Sequence, residues 1–326
     1  MSQNPRFASL QRRFPLSYLF VVTPLVLLSF HEAPEASAQA RQQNERSLFV
    51  SVVDESNSPV TGLPLEQFVV EEDGVEREVI KAEPAQTPMQ LALLVDTSDA
   101  AAFGLSDIRA GLETLVSNLQ QNENDIAIIT FGGPPRIIVE STSRLNRLQE
   151  GIRRVFTSPG DAAYLLDALV ETARGFELRR SQRPVIVVIT SQGVDYSRYG
   201  ATDALRSLEA AGAMTDIFVL MNRSRTQGPI NLNRNIGLNG DTSYQRDLAL
   251  AQIPRATGGQ QRDLFSSSAL SRALQQLTLR LASQYELVYS RPTSLLPPET
   301  ISVRMQREDI KAFAMPMRLG TNGTQR

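Results

Sequence analysis

The residues of this chain best placed to do chemistry are Asp96-Thr97-Ser98-Asp99-Ala100, directly after the run Leu91-Ala-Leu-Leu-Val95. An apolar run with no charge reads as a strand buried on both faces, as in a parallel sheet. It ends on a carboxylate and two hydroxyls, and a helical pattern begins behind it. In open α/β sheets ligands bind at that carboxyl edge. Carboxylate and hydroxyl groups also cap backbone N–H groups where a strand gives way to a helix, which is the plainer expectation for Asp96 and Ser98.

Other chemistries are closed off. The chain has no cysteine, and its one histidine, His31, lies in the N-terminal segment. Beyond that segment, zinc sites built from His and Cys are excluded, as are Ser-His-Asp and Cys-His nucleophiles. Lys81 and Lys311 are the only lysines, and neither follows the glycine run of a phosphate loop. Glu71, Glu72 and Asp73 are adjacent, but neighbours in a strand face opposite ways. Asp96 and Asp195 could meet across the sheet edge, which leaves a carboxylate-based hydrolase of envelope glycans open. The near-neutral charge, -2 at pH 7, argues against nucleic acid as a partner.

The elements that must position these residues fall into zones. In residues 1–40, Arg6, Arg12 and Arg13 precede the uncharged stretch Leu16 to Phe30, and Glu35-Ala-Ser-Ala38-Gln-Ala40 supplies small residues. That order is a secretory signal, cut after Ala38 or Ala40, or retained as an anchor. If it is cut, the mature chain has no membrane span. Export without cysteine means stability rests on a packed core rather than on disulfides.

Residues 47–83 read as strands: Leu48–Val53, Phe68–Val70, and Val75 to Ile80 across the hairpin signal Asp73-Gly74. Residues 89–283 alternate strand and helix. Strands are expected at Gln90–Val95, Asp125–Phe131, Arg136–Val139, Pro184–Thr190, Thr215–Leu220 and Gln260–Phe265. Helices are expected at Ser106–Gln120, Ser143–Phe156, Ala162–Phe176, Ala201–Ala211, Tyr244–Ala256 and Ser267–Ala282. This predicts a doubly wound, mostly parallel α/β sheet of Rossmann-like form. Asn222 to Ser243 is a long polar insertion, and Gly320 to Arg326 a frayed tail. Residues 284–318 return to period two through Tyr285, Leu287 and Tyr289, through Ile301, Val303 and Met305, and through Phe313, Met315 and Met317. Neither β flank has enough strands to stand alone, so the two are expected to form one small β-sandwich.

Asp96-Thr-Ser98, the helix around Leu165-Leu-Asp167-Ala-Leu169, and Val185-Ile-Val-Val-Ile-Thr190 ahead of Gly193 and Asp195 together resemble the von Willebrand factor type A fold. With Phe68-Val-Val-Glu-Glu-Asp73-Gly74 and the tail from Tyr285, the chain is similar more narrowly to the exported type A family typical of acidobacteria. The likeness spans about residues 47 to 318. It implies a magnesium ion held by an Asp-x-Ser-x-Ser turn, a threonine before the third helix and an aspartate after the fourth strand. A carboxylate from a partner protein would complete the ion's shell. Here Asp96 and Ser98 match that set, whereas Ala100, Ala163 and Ser191 stand at the other three positions. The metal site is thus read as degenerate: no cofactor is expected, and weak magnesium binding at Asp96 and Ser98 is the residue of it.

Phe103, Tyr164, Tyr196 and Tyr199 fall on loops at the same edge, and aromatic side chains concentrate at binding hot spots. They are the candidate partner-binding residues, or else they pack beneath their own loops. Asp167 is expected to hold a neighbouring loop amide. The reading as a whole is an exported, non-enzymatic protein–protein interaction module, periplasmic or extracellular, whose partner is an envelope or extracellular protein. The alternative is a structural subunit of an envelope complex that binds through its β-sandwich.

Overall fold

Leu91, Leu93 and Val95 bury into one core cluster while Ala92 and Leu94 bury into another. Val185, Val187 and Ile189 divide from Ile186 and Val188 in the same way. Two strands that bury both faces need helices above and below, and each buried Val, Leu or Ile is worth about 1.5–3 kcal/mol. The computed structural model describes residues 45–119, 123–157, 160–222, 239–292, 296 and 298–317. The N-terminal segment, most of the polar insertion, part of the 295–298 break and the C-terminal tail lie outside the described residues. No helix among those described is long and apolar enough to cross a membrane.

In chain order the first strands are β1 Glu45–Asp54, β2 Phe68–Glu72, β3 Val75–Arg77, β4 Val79–Pro84 and β5 Gln90–Val95. Then come helix α1 Leu105–Leu119, β6 Asp125–Thr130, β7 Arg136–Thr142, α2 Leu145–Arg153, α3 Leu165–Leu178 and β8 Pro184–Ser191. They are followed by α4 Ala201–Ala211, β9 Met214–Leu220, α5 Asn239–Ala256, β10 Gln261–Leu264 and α6 Leu270–Ala282. The last strands are β11 Tyr285–Ser290, β12 Ile301–Met305 and β13 Ile310–Ala314. The central sheet has the order β10-β9-β8-β5-β6-β7, parallel except for the edge strand β7. Helices α1, α2 and α6 cover one face; α3, α4 and α5 cover the other.

The flanks form two antiparallel sheets, β13-β1-β11-β4 and β12-β2-β3, around a third core. The Asp73-Gly74 turn has positive φ at both residues, the conformation a two-residue hairpin of this twist needs. Asp73 Oδ1 accepts from the Glu299 and Thr300 amides, at 3.0 and 2.8 Å. Glu71 faces out to Arg304. Its neighbour Glu72 is buried, taking the Tyr289 hydroxyl at 2.8 Å and ion pairs from Arg77 and Arg291. Burial, and then the hydrogen bond to Glu72, push the Tyr289 phenol up.

The sandwich sits beneath the amino edge of the parallel sheet and is joined to it by buried polar contacts. Arg183 donates to Gln284 Oε1 and to the carbonyls of Thr87 and Leu281, and its guanidinium lies 5.2 Å from the Phe49 ring centre. Gly258 has φ +71°, and a Cβ there would stand 2.1 Å from the Ala314 carbonyl oxygen. Two expectations need correction here. The third period-two run does not extend to Met317, because the strand ends at Ala314. Met315 instead turns into the α/β core, with its amide on Phe49 O. Helix α3 starts at Leu165 rather than Ala162, because Ala163 is held extended by bridges to Gly132 and Asp195.

Candidate functional site

Every parallel strand ends at one edge, and the loops there hold a network centred on Asp96. Its carboxylate is fully buried. Oδ1 accepts from the Ser98 amide at 2.9 Å, which folds the chain back as an Asx-type turn. Oδ2 accepts three donors: the Thr190 hydroxyl at 2.9 Å, the Ser191 amide at 3.1 Å and the Ser191 hydroxyl at 3.2 Å. Oδ2 is thus crowded with donors from the loop after β8, whereas Oδ1 takes a single donor. Thr97 ties the neighbouring strand end by accepting from the Gly132 amide at 3.1 Å. A Cβ on Gly132 would meet the Thr97 carbonyl carbon at 2.2 Å, so only glycine permits this approach.

Ser98 does not cap the turn that follows it. Its side chain makes no capping hydrogen bond, and its buried Oγ has no partner among the described residues. The capping expectation therefore holds for Asp96 and fails for Ser98. Ala163 is buried and packs its methyl into the core cluster beneath α3. Asp195 is buried too; it accepts from the Leu165 amide at 2.8 Å and the Ser197 amide at 2.9 Å. Burial raises its pKa, against the pull of the Ser197 and Leu165 donors and of Arg246. Asp167 takes the amides of Arg198 and Tyr199, at 2.8 and 3.2 Å, as expected of a loop-holding carboxylate.

A residue the sequence reading passed over completes the network. Arg246, on α5, is 2% exposed. It donates to the Thr190 hydroxyl at 2.9 Å and to the carbonyls of Ser191 and Gly193. Its Nε is buried with no partner among the described residues. The trace in sequence is its spacing: Arg246, Ala249, Leu250 and Ile253 fall on one buried helical stripe, which puts an arginine where an apolar residue belongs.

The magnesium implied by the resemblance does not fit these residues. Alanine methyls stand at two ligand positions, Ser191 Oγ is turned onto Asp96, and Asp96 Oδ2 is crowded with three donors. Ser98 Oγ and the open side of Asp96 Oδ1 remain, too few for the near-octahedral oxygen shell magnesium demands. Among the described residues no group of three His, Cys, Asp or Glu side chains is gathered to hold a metal.

The four aromatic candidates are distributed unevenly. Tyr164 and Tyr196 face each other with ring centres 6.5 Å apart. Tyr199 packs toward the α3–α4 core, takes a hydrogen bond from Arg174 and lines a cavity of about 370 Å³ with Leu166, Asp195 and Gln245. Phe103 stands apart on the short 3-10 turn after β5 and makes no ring contact among the described residues. Three further exposed rings were not singled out from sequence. Phe156 lies after α2 beneath Arg109, Tyr244 in the first turns of α5, and Phe265 directly after β10. All three sit next to element ends that the sequence places at the carboxyl edge, and that position was the available signal.

Residues 91–194 match the von Willebrand factor type A domain family. No curated protein matches the chain. Among solved structures, BatB from Bacteroides thetaiotaomicron is 16% identical, with 60% of this chain and 100% of that one covered and a TM-score of 0.43. A von Willebrand factor type A protein from Catenulispora acidiphila is 10% identical over 83% of this chain and 72% of its own, with a TM-score of 0.45. An aerotolerance-related membrane protein from Bacteroides fragilis is 17% identical over 59% and 98%, with a TM-score of 0.41. The fold is a von Willebrand factor type A-like α/β fold with flanking antiparallel sheets.

Proposed function

We propose that this chain is an exported, non-enzymatic interaction module that captures a protein partner on the carboxyl edge of its type A sheet, without a metal ion. Type A domains usually mediate protein–protein interaction. One observation carries the reading. Every exposed aromatic side chain among the described residues lies at that edge: Phe103 (40%), Phe156 (62%), Tyr196 (49%), Tyr244 (61%) and Phe265 (63%). Exposed aliphatic side chains are scattered elsewhere, as on any soluble surface. Aromatic rings bring large contact area and few rotamers to lose, so a cluster of them at one pole marks a docking face.

The order of charged, apolar and small residues in 1–40 supports export, and with it an envelope or extracellular partner in the periplasm or outside. The likeness to the exported acidobacterial family points the same way. A carboxylate hydrolase has little support, because Asp96 and Asp195 are buried and spend their oxygens on internal donors. Capture by strand addition to the sandwich is also disfavoured. Two of its four edge strands are short or blunted, β3 with three residues and β4 with Lys81, Glu83 and Pro84.

The test is quantitative affinity capture from envelope extracts with Phe103→Ala, Tyr196→Ala and Phe265→Ala in one chain. Capture is expected to fall at least about tenfold, since losing two or three hot-spot rings removes more than about 1.4 kcal/mol. Leu178→Ser, at the opposite end of α3, leaves it unchanged. If the aromatic variant captures normally and changes along β12 or β13 abolish capture, docking through the sandwich replaces this reading.

A further inference from the structure

The geometry points to Arg246 as a built-in cation that takes over, at this sheet edge, the charge a magnesium ion would supply. An arginine on the apolar stripe of α5 is costly to bury unless its charge is matched. What matches it is the loop after β8, the same loop that supplies the aspartate ligand in the type A pattern. Arg246 holds the carbonyls of Ser191 and Gly193 and the hydroxyl of Thr190. Thr190 in turn donates its hydroxyl hydrogen bond to Asp96 Oδ2 at 2.9 Å. One hydroxyl thus accepts from a cation and donates to an anion, an arrangement in which each bond strengthens the other. At the second buried carboxyl of the edge, burial raises the Asp195 pKa and the same guanidinium works against that rise.

The three departures from the metal-binding pattern now belong together. Ala100, Ala163 and Ser191 each remove an oxygen or a negative charge that a dication needs and a guanidinium does not. The replacement is also close in space. A Cβ placed on Gly193 would lie 3.1 Å from the Ala100 methyl and 3.9 Å from Arg246 Nη1. The tip of the arginine therefore sits within a side chain's breadth of Ala100. A dication brought to this spot would be repelled by the guanidinium a few ångströms away. The edge is consequently charged at all times rather than loaded and unloaded with metal. This stands separately from the identity of whatever docks above it.

Magnesium titration by calorimetry reads the exchange directly. Wild type and Arg246→Gln are expected to show no binding. The ligand-restored triple Ala100→Ser, Ala163→Thr, Ser191→Asp is expected to bind at least about tenfold more weakly than the same triple carrying Arg246→Gln, because like charges at this range oppose each other. In melts with chelator present, Arg246→Gln lowers Tm by about 10 °C, and Arg246→Lys recovers at least about half of that. A purely hydrogen-bonding role for Arg246 would not alter magnesium affinity. Tight magnesium binding by wild type, equal binding by the two restored chains, or a glutamine variant that melts with wild type would each overturn the proposal. Should Arg246→Gln not fold, the restored triple decides alone: if it binds magnesium tightly with Arg246 in place, the proposal is wrong.

Discussion

The two poles of the parallel sheet each bury an arginine, and the two arginines are treated differently. At the amino edge, Arg183 finds a partner at each of its three side-chain nitrogens, on Thr87, on Leu281 in the last turn of α6 and on Gln284 just before β11. At the carboxyl edge, Arg246 Nε and the Ser98 hydroxyl have no partner among the described residues. Natural folds leave buried polar groups unsatisfied rarely, and each instance calls for an explanation. Among the described residues no exposed ring lies around Arg183, and the exposed rings collect at the edge that holds Arg246. Completeness of hydrogen bonding tells these two arginines apart but not the poles, since Arg280 at the amino edge is also buried, paired with Asp216, with Nε and Nη1 unpartnered among the described residues. What separates the poles is the partner: Arg183 reaches the junction with the sandwich, and Arg246 the loop after β8.

Replacing Arg183 tests the fastening pole and carries the largest expected effect. Arg183→Met leaves Gln284 Oε1 and the Thr87 and Leu281 carbonyls without their donors, a loss of about 3 kcal/mol at roughly 1 kcal/mol each. The expected readout is a lower denaturant midpoint with partner capture per folded molecule unchanged. Loss of capture without loss of stability would erase the distinction between the poles. Next in size is Asp96→Asn. The amide has one acceptor oxygen, so it must abandon either the Ser98 amide or the Thr190–Ser191 donors, and its NH2 then faces a donor. About 2 kcal/mol is expected to go, equally in chelator and in magnesium. A variant whose loss appears only when magnesium is removed would reinstate a metal at this edge.

Much of the fold could be read from pattern alone. Leu91–Val95 and Val185–Ile189 have no charge for a solvent-facing side, and that forces helices onto both faces of the sheet. The return of period two at Tyr285 likewise required a partner sheet, and the Glu72–Tyr289 bond now joins the two. What could not be read depended on contacts far apart in sequence. Nothing local to Ala163 shows that bridges to Gly132 and Asp195 delay the helix. Nothing local to Asp96 shows that Thr190 and Ser191 crowd its Oδ2. Arg246 left a faint trace, a charge on an apolar stripe, but its meaning needs the loop after β8. Phe156, Tyr244 and Phe265 become a group only once the strands bring their ends together.

The smallest expected effect is the one most specific to the working edge, and it is a dependence on pH. Burial raises the Asp195 pKa in the folded protein, while the unfolded chain leaves it at the ordinary carboxylate value. Between those two values the folded state holds the proton and the unfolded state has released it. Stability contributed by this group therefore falls as pH rises through that window, and is constant above and below it. Arg246 opposes the rise, so Arg246→Gln should carry the upper end of the window to higher pH. Asp195→Asn should remove the slope altogether, at some fixed cost in stability because an amide cannot accept from both Leu165 and Ser197. The measurement is the unfolding free energy of the three chains across the acid range, taken as differences so that other carboxylates cancel. Arg183→Met, by contrast, should leave this slope where it is, since it does not act on Asp195. If Arg183→Met and Arg246→Gln moved it alike, the two poles would be one electrostatic unit, and the contrast between a fastening and a working arginine would fail.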